Sequence, residues 1–202
     1  EDSPLALSWL WVAGMVVFAA EVTRRRAPEV PGLRVLALGA FAATAGVTLG
    51  ALFGMGIFPL EGRTVVPLAG LMIGNTMTAA VVCARRIVEE LRDQRLEVEA
   101  RLALGLPARE AARPHVRRAL RTALIPQVET TKAVGLVVLP GAMTGLILAG
   151  VDPVDAVLVQ AVVMFLILGA TATATSVVAL GLVRRLFTPD HRLVPLERPA
   201  GV

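Results

Sequence analysis

The stretch Arg101–Pro126, RLALGLPAREAARPHVRRALRTALIP, places a dense run of positive charge in the middle of an otherwise apolar chain. It contains one acidic residue, Glu110, and it is punctuated by Gly105 and three prolines. Long apolar segments precede and follow it. Since basic loops stay on the cytoplasmic side of a membrane, this stretch decides how the chain is threaded through the bilayer.

The composition indicates an integral membrane protein. Of the 202 residues, 55% are hydrophobic, and the mean hydropathy is +0.71. A soluble domain of this length is less apolar. The isoelectric point near 10.8 could suggest nucleic acid as a partner. Basic cytoplasmic loops explain it equally well, so we expect no nucleic-acid partner. Cys83 is the single cysteine, which excludes an internal disulfide.

Five apolar segments are long enough, or nearly long enough, to cross about 30 Å of hydrocarbon. They cover about Pro4–Val22, Leu33–Phe58, Val65–Cys83, Ala133–Gly150 and Val154–Val183. The fourth is short and interrupted at Leu139-Pro140-Gly141. The chain begins at Glu1 without Met or a signal sequence, so we expect an N-terminal part of the natural protein to be missing. The expected fold is an all-α polytopic bundle that forms a single transmembrane domain over residues 1–202.

The basic residues set the expected orientation. With five spans, every Lys and Arg except Arg63 falls on one side of the membrane. The positive-inside rule then places the N-terminus outside and the C-terminus in the cytoplasm.

The segment between the third and fourth spans is expected to form a cytoplasmic helical hairpin over residues 84–126. A helix from about Val65 to Leu104 would be roughly 60 Å long. Gly105 would end it, and a short transverse helix over Pro107–Ala112 would form the tip. A return helix over Pro114–Ile125 would follow, with Pro126 ending or kinking it. The alternative is a solvated basic loop whose only role is to keep this segment on the cytoplasmic side of the membrane.

The segment Glu99–Ala111, EARLALGLPAREA, resembles the coupling motif of importer-type ABC permeases, which has the form E-A-A, three residues, then G. That motif seats a cytoplasmic helix in a cleft of the ATPase subunit. Here Arg101 replaces the second Ala, and the I-x-L-P that should follow the Gly is absent at its usual spacing. The chain is therefore not an ordinary importer permease.

The chain resembles more closely the FetB-type iron-exporting ABC permeases, which have plant relatives linked to aluminium tolerance. The matching segments are VVPLAGLMIGNTM at 65–77, LALGLPAREA at 102–111, RALRTALIPQVETTKAVGLVVLPGAMTGLILAGVDPVDA at 118–156 and HRL at 191–193. The resemblance implies a bacterial inner-membrane permease, paired as a homodimer with two separate cytoplasmic ATPase subunits. No Walker motif occurs in the sequence, so ATP and Mg would bind to the partner, and this chain would bind no cofactor.

Two groups of residues are candidates for function. The residues expected to contact the ATPase are Glu99, Gly105, Leu106, Pro107, Arg109, Glu110 and Arg113. The residues expected along a substrate pathway are Met72, Asn75, Glu129, Lys132, Pro140, Met143, Thr144 and Gln160.

Each pathway candidate also has a structural interpretation. Asn75 lies within a span, where a buried amide must pair with a neighbour or face a pathway. Met72 and Met143 could be thioether ligands of a soft metal, or packing residues. Glu129 could attract a hard cation such as iron, or form a structural pair with Lys132 three residues later.

The remaining candidates belong to interrupted or polar parts of the last two spans. Pro140 should break the fourth span and make Met143 and Thr144 line a gate, although a simple kink is the alternative. Gln160 and a run of Thr residues give the fifth span a polar side, which we attribute mainly to interhelical hydrogen bonds.

The sequence contains no constellation typical of an enzyme, such as H-E-x-x-H or G-x-S-x-G. We therefore expect a transporter subunit that exports iron or a similar metal. The alternatives are export of a lipid or a nucleotide sugar, and a non-transporting scaffold whose basic hairpin binds anionic lipid.

Overall fold

The computed structural model describes residues 5–54, 56, 61–133, 141–188, 190 and 192–196. Its helices are α1 (Leu5–Arg26), α2 (Leu33–Gly54), α3 (Gly62–Asp93), α4 (Arg95–Ala103), α5 (Ala108–Ala133), α6 (Gly141–Leu148) and α7 (Pro153–Leu186). Within the described ranges the chain is all-α, which confirms the expected fold class. An antiparallel bridge joins Phe187 to Leu193 just after α7.

Four helices are long and apolar enough to cross a membrane. They correspond to Leu7–Arg26, Leu33–Gly54, Thr64–Asp93 and Pro153–Leu186. The first, second, third and fifth predicted spans are therefore confirmed. The fourth predicted span falls partly on residues 134–140, which lie outside the described part. Its described portion, α6, has eight residues, which is too short to cross a bilayer alone.

The four long helices pack around a core that is rich in small side chains. Fully buried alanines occur on all four of these helices and allow the backbones to approach closely. They are Ala20, Ala37, Ala40, Ala80 and Ala174. Large apolar side chains such as Trp11, Phe18 and Phe165 instead point outward and are exposed. This arrangement is typical of a bundle that is surrounded by lipid.

The threonines of α7 do not make the interhelical hydrogen bonds that we expected. The hydroxyl of Thr171 donates to the carbonyl oxygen of Ile167 at 2.7 Å, and that of Thr175 donates to Thr171 at 2.8 Å. Thr173 bonds in the same way to Gly169. These bonds stay within α7 because a Thr hydroxyl reaches the carbonyl four residues earlier, so no neighbouring helix is needed.

The basic loops meet at one end of the bundle, here called the basic end. Arg85 of α3 forms an ion pair with Glu29 of the α1–α2 loop, N–O distance 2.8 Å, and donates to the carbonyl of Arg26. In the same loop, Gly32 lies directly against the guanidinium of Arg185 at the end of α7. This convergence confirms that the loop after α1, the end of α3 and the end of α7 share one side.

Two details of the predicted hairpin were wrong. The long helix does not continue to Leu104, because it is divided at Gln94 (φ −103°, ψ 27°) into α3 and α4. There is also no separate transverse helix at the tip, because α5 runs unbroken through Pro114 and Pro126.

The continuity of α5 has a tertiary cause. A proline inside a helix removes one backbone hydrogen bond and costs roughly 3 kcal/mol in isolation. The face of α5 formed by Ala111, Ala112, His115, Ala119 and Ala123 is buried against the bundle. This packing stabilises the helix and offsets the cost of both prolines.

Candidate coupling hairpin and substrate pathway

The hairpin consists of α4, the turn Leu104–Pro107 and α5, and its geometry is fixed by Gly105. This residue has φ +87°, a left-handed conformation that side chains disfavour. The amide of Gly105 donates to Leu102 at 2.9 Å, and that of Leu106 donates to Arg101 at 3.2 Å. This pair of bonds is a Schellman motif, so the prediction that Gly105 ends the helix is confirmed.

The next helix begins immediately after the turn. The carbonyl oxygen of Pro107 accepts from the amides of Glu110 and Ala111, at 2.9 and 3.0 Å. A proline lacks the amide hydrogen that the start of a helix leaves unpaired, which suits this position. The turn is therefore short, and both of its ends are defined by backbone hydrogen bonds.

The predicted coupling residues cluster around this turn and face outward. Glu99, Gly105, Pro107, Arg109, Glu110 and Arg113 are exposed, and Leu106 is half-buried. Two large apolar side chains near them, Leu96 and Leu104, are 84% and 83% exposed. These leucines lie outside the four candidate spans, so lipid does not explain their exposure.

The opposite side of the hairpin is anchored to the bundle. Val98 of α4 and the alanine face of α5 are buried in the same core as Leu91 of α3 and Leu186 of α7. Leu193 joins this core through the bridge to Phe187. A displacement of the hairpin would therefore act directly on α3 and α7.

His115 is a functional candidate that the sequence analysis did not single out. Its side chain is fully buried between α3, α4 and α5. Its Nδ1 lies 3.8 Å from a carboxylate oxygen of Glu90, and its Nε2 lies 3.8 Å from one of Glu97. Among the described residues, neither ring nitrogen has a hydrogen-bond partner. A lone histidine inside a basic stretch was the available signal, but its burial could not be read from the sequence.

The environment of His115 favours the neutral imidazole. Burial is the main reason that its pKa lies below the ordinary value of 6.5. Arg118 and Arg101 act in the same direction, whereas Glu97 and Glu90 oppose it. Protonation of this histidine would therefore disturb the packing between α3 and the hairpin.

Asn75 lies at a small cavity between α3 and α5. The cavity has a volume of about 300 Å³, and polar groups of Thr78, Gln127 and Thr130 line it beside Asn75. The amide of Asn75 is exposed and donates to the carbonyl of Leu71 at 2.7 Å. Asn75 therefore lies beside other polar residues where α3 packs on α5.

The other pathway candidates are dispersed. Met72 is buried in an apolar cluster with Leu49 and Val65, and Met143 is also buried. Thr144 is half-buried, and Pro140 lies outside the described residues. Gln160 is 4% exposed, and its Oε1 accepts no hydrogen bond within the described ranges.

Glu129 and Lys132 form a pair on the surface of α5. Their N–O distance is 3.0 Å, and their side chains are 64% and 67% exposed. The predicted proximity is confirmed. Within the ranges described, no group of three His, Cys, Asp or Glu residues is placed to hold a metal ion. Glu129 is therefore a single carboxylate at the surface, without companion ligands in this part of the chain.

These features define the class of protein as a polytopic α-helical membrane protein with an exposed helical hairpin at its basic end. A family model described as Uncharacterised protein family (UPF0014) matches residues 1–187. The chain belongs to this family.

Similar proteins come from plants and bacteria. The chain is 40% identical to UPF0014 membrane protein STAR2 of Oryza sativa subsp. japonica over 171 residues, which are 83% of this chain and 60% of that protein. It is 39% identical to Protein ALUMINUM SENSITIVE 3 of Arabidopsis thaliana over 173 residues, 86% of this chain and 62% of that protein. It thus spans about three fifths of these plant relatives.

A bacterial relative carries a functional name. The chain is 32% identical to the "Probable iron export permease protein FetB" of Escherichia coli (strain K12) over 194 residues, 96% of this chain and 74% of that protein. No solved structure matches the chain. The resemblance drawn from the sequence segments is confirmed by these matches.

Proposed function

We propose that this chain is the permease subunit of an ABC transporter in a bacterial inner membrane, and that it exports iron or a similar metal. Two copies would pair with two separate ATPase subunits, which bind ATP and Mg. The name of the Escherichia coli relative supports the iron substrate.

The observation that carries the coupling role is the exposure of two leucines on the hairpin, Leu104 in the Gly105 turn and Leu96 near the start of α4. Leu96 and Leu104 are almost fully exposed outside the candidate spans. Exposed apolar surface of this kind is typical of a protein interaction site. Charged residues flank it, as at the rim of many interfaces.

The packing of the hairpin supplies a mechanism for coupling. Closure of the ATPase dimer would shift the turn Leu104–Pro107 relative to the membrane. Because α5 packs on both α3 and α7, this shift would rock these helices between inward and outward access. The ATPase then biases a two-state equilibrium through contacts that differ between the states.

The coupling proposal is tested with two matched glycine variants. Gly105 and Gly150 have nearly identical φ angles, +87° and +88°, and both have open space at the Cβ position. Gly150 follows α6, away from the hairpin. We expect Gly105→Trp to abolish permease-dependent ATP hydrolysis in the reconstituted complex, while Gly150→Trp retains it. Both should insert into the membrane. Equal activity of the two variants would refute the coupling role.

The metal proposal is tested by ATP hydrolysis with and without ferrous iron. We expect iron to stimulate the complex, and Glu129→Gln to weaken that stimulation without changing the basal rate. An unchanged iron response would remove Glu129 from the site. Stimulation by a lipid or a nucleotide sugar instead of iron would identify that compound class as the substrate.

A further inference from the structure

A groove at the basic end combines positive charge with an apolar wall. It lies between α5 and α7 and has a volume of about 640 Å³. The lining residues are Arg109, Glu110, Arg113, Val116, Arg117, Leu120, Ala179, Leu180, Val183 and Arg184. Four positive charges and one negative charge thus line the groove together with apolar side chains.

The arginine side chains of this groove lack an ion-pair partner in the described part of the chain. No carboxylate there lies within ion-pair distance of Arg113, Arg117 or Arg184, and the same holds for Arg109. Arg101 on α4, by contrast, pairs with Glu97 at 2.7 Å. Four arginines without an ion-pair partner among the described residues are therefore concentrated in one groove.

The continuity of α5 creates this concentration. Arg109, Arg113 and Arg117 are spaced four residues apart, and because Pro114 does not interrupt the helix they lie along one side of it. Arg184, in the last turn of α7, completes the cluster from the other wall.

The position of the groove relative to the membrane favours a membrane lipid over a cytoplasmic ligand. Leu180 lies in the candidate span Pro153–Leu186, one turn on the membrane side of Arg184, and is 51% exposed. A headgroup phosphate at Arg184 would leave its acyl chain beside Leu180. A protein docked from the cytoplasm would meet the arginines but would not reach this apolar wall.

We propose that the groove binds an anionic phospholipid, with its phosphate held by Arg117 and Arg184 and an acyl chain lying against Leu180 and Val183. Guanidinium groups bind phosphate with paired, charge-assisted hydrogen bonds. Basic pockets between membrane helices on the cytoplasmic side bind anionic headgroups by this combination. This inference is independent of the transported substrate, and its two phosphate-binding arginines, Arg117 and Arg184, are not among the predicted coupling residues.

The test measures the lipid that stays bound to the full-length chain. Protein is purified from nanodiscs of phosphatidylcholine mixed with phosphatidylglycerol, and retained lipid is quantified by mass spectrometry. We expect retained phosphatidylglycerol to be enriched over its share of the bilayer. Arg117→Gln combined with Arg184→Gln should weaken its binding about 25-fold, roughly fivefold for each charge.

The matched control removes the same charge outside the groove. Arg26 at the end of α1 and Arg192 after α7 are exposed and do not line the groove, so Arg26→Gln combined with Arg192→Gln should retain the enrichment. Arg117→Lys combined with Arg184→Lys keeps the charge and should retain most of the binding, and a Tm of the glutamine variant equal to that of the wild type shows that its loss of lipid is not due to misfolding.

Three results would overturn the proposal. One is equal loss of phosphatidylglycerol in the control variant, which would indicate general surface charge. Another is displacement of the lipid by inorganic phosphate alone, which would identify a phosphate site without an acyl chain. The third is stoichiometric release of the lipid when the ATPase subunit binds, which would make the groove part of the protein interface.

Discussion

Acidification should destabilise the hairpin through His115. The imidazole is fully buried, and burial holds its pKa below 6.5. The unfolded chain therefore binds a proton at a higher pH than the folded chain does. The contribution of the neutral histidine to stability is complete above about pH 6.5 and is lost as the pH falls toward the lower pKa of the folded state.

The magnitude follows from linkage. One proton bound only by the unfolded state lowers the free energy of unfolding by up to about 1.4 kcal/mol for each pH unit in this window. For a chain of about 200 residues, this corresponds to roughly 3–6 °C in Tm per pH unit. The carboxylates of Glu90 and Glu97 oppose the lowering of the pKa, so the measured slope should be smaller than this limit.

The assay compares wild type with His115→Leu. Leucine removes the titrating group and the two nitrogens that lack hydrogen-bond partners within the described ranges, so the variant should be at least as stable near pH 7.5. Unfolding in detergent is followed by tryptophan fluorescence between pH 7.5 and 5. The two proteins differ only at position 115, so the difference between the two Tm curves isolates His115.

The reasoning is refuted if the wild type and His115→Leu lose the same Tm on acidification. A wild type that gains stability relative to the variant would also refute it. That result would mean that Glu90 and Glu97 outweigh burial and raise the pKa.

Two further predictions concern packing and surface charge. A Cβ at Gly181 of α7 would overlap the side chain of Leu36 on α2, whereas Gly169 of the same helix has open space. Gly181→Leu should therefore cost about 1–3 kcal/mol and lower Tm, while Gly169→Leu does not; equal Tm values would contradict the packing. Glu129→Gln should change the free energy of unfolding by less than about 0.5 kcal/mol, because its pair with Lys132 is exposed. A larger loss of Tm would show that the pair is structural.

Local signals predicted the features that depend on a few neighbouring residues. Apolar runs of sufficient length identified the four long helices, and Gly105 marked the end of a helix because only glycine adopts its backbone angles without strain. Pro107 correctly indicated a new helix, which begins at Ala108.

The predictions that were wrong depended on contacts between distant segments. Pro114 carries a real local penalty, but the buried alanine face of α5 outweighs it. The division of the long helix at Gln94 has no Gly or Pro signal in the sequence. The hydrogen bonds of Thr171 stay within α7, although its position suggested a partner on another helix.

The sequence by itself determined that this is a multi-span membrane protein with one basic end, because hydrophobic length and charge asymmetry act through the solvent and need no tertiary contact. Only the tertiary structure decided which charges are free at that end. Arg101 is neutralised by Glu97 on its own helix, whereas Arg117 of α5 and Arg184 of α7 line one groove and have no ion-pair partner among the described residues. The charge of a side chain is fixed by its chemistry, but its partner is fixed by packing.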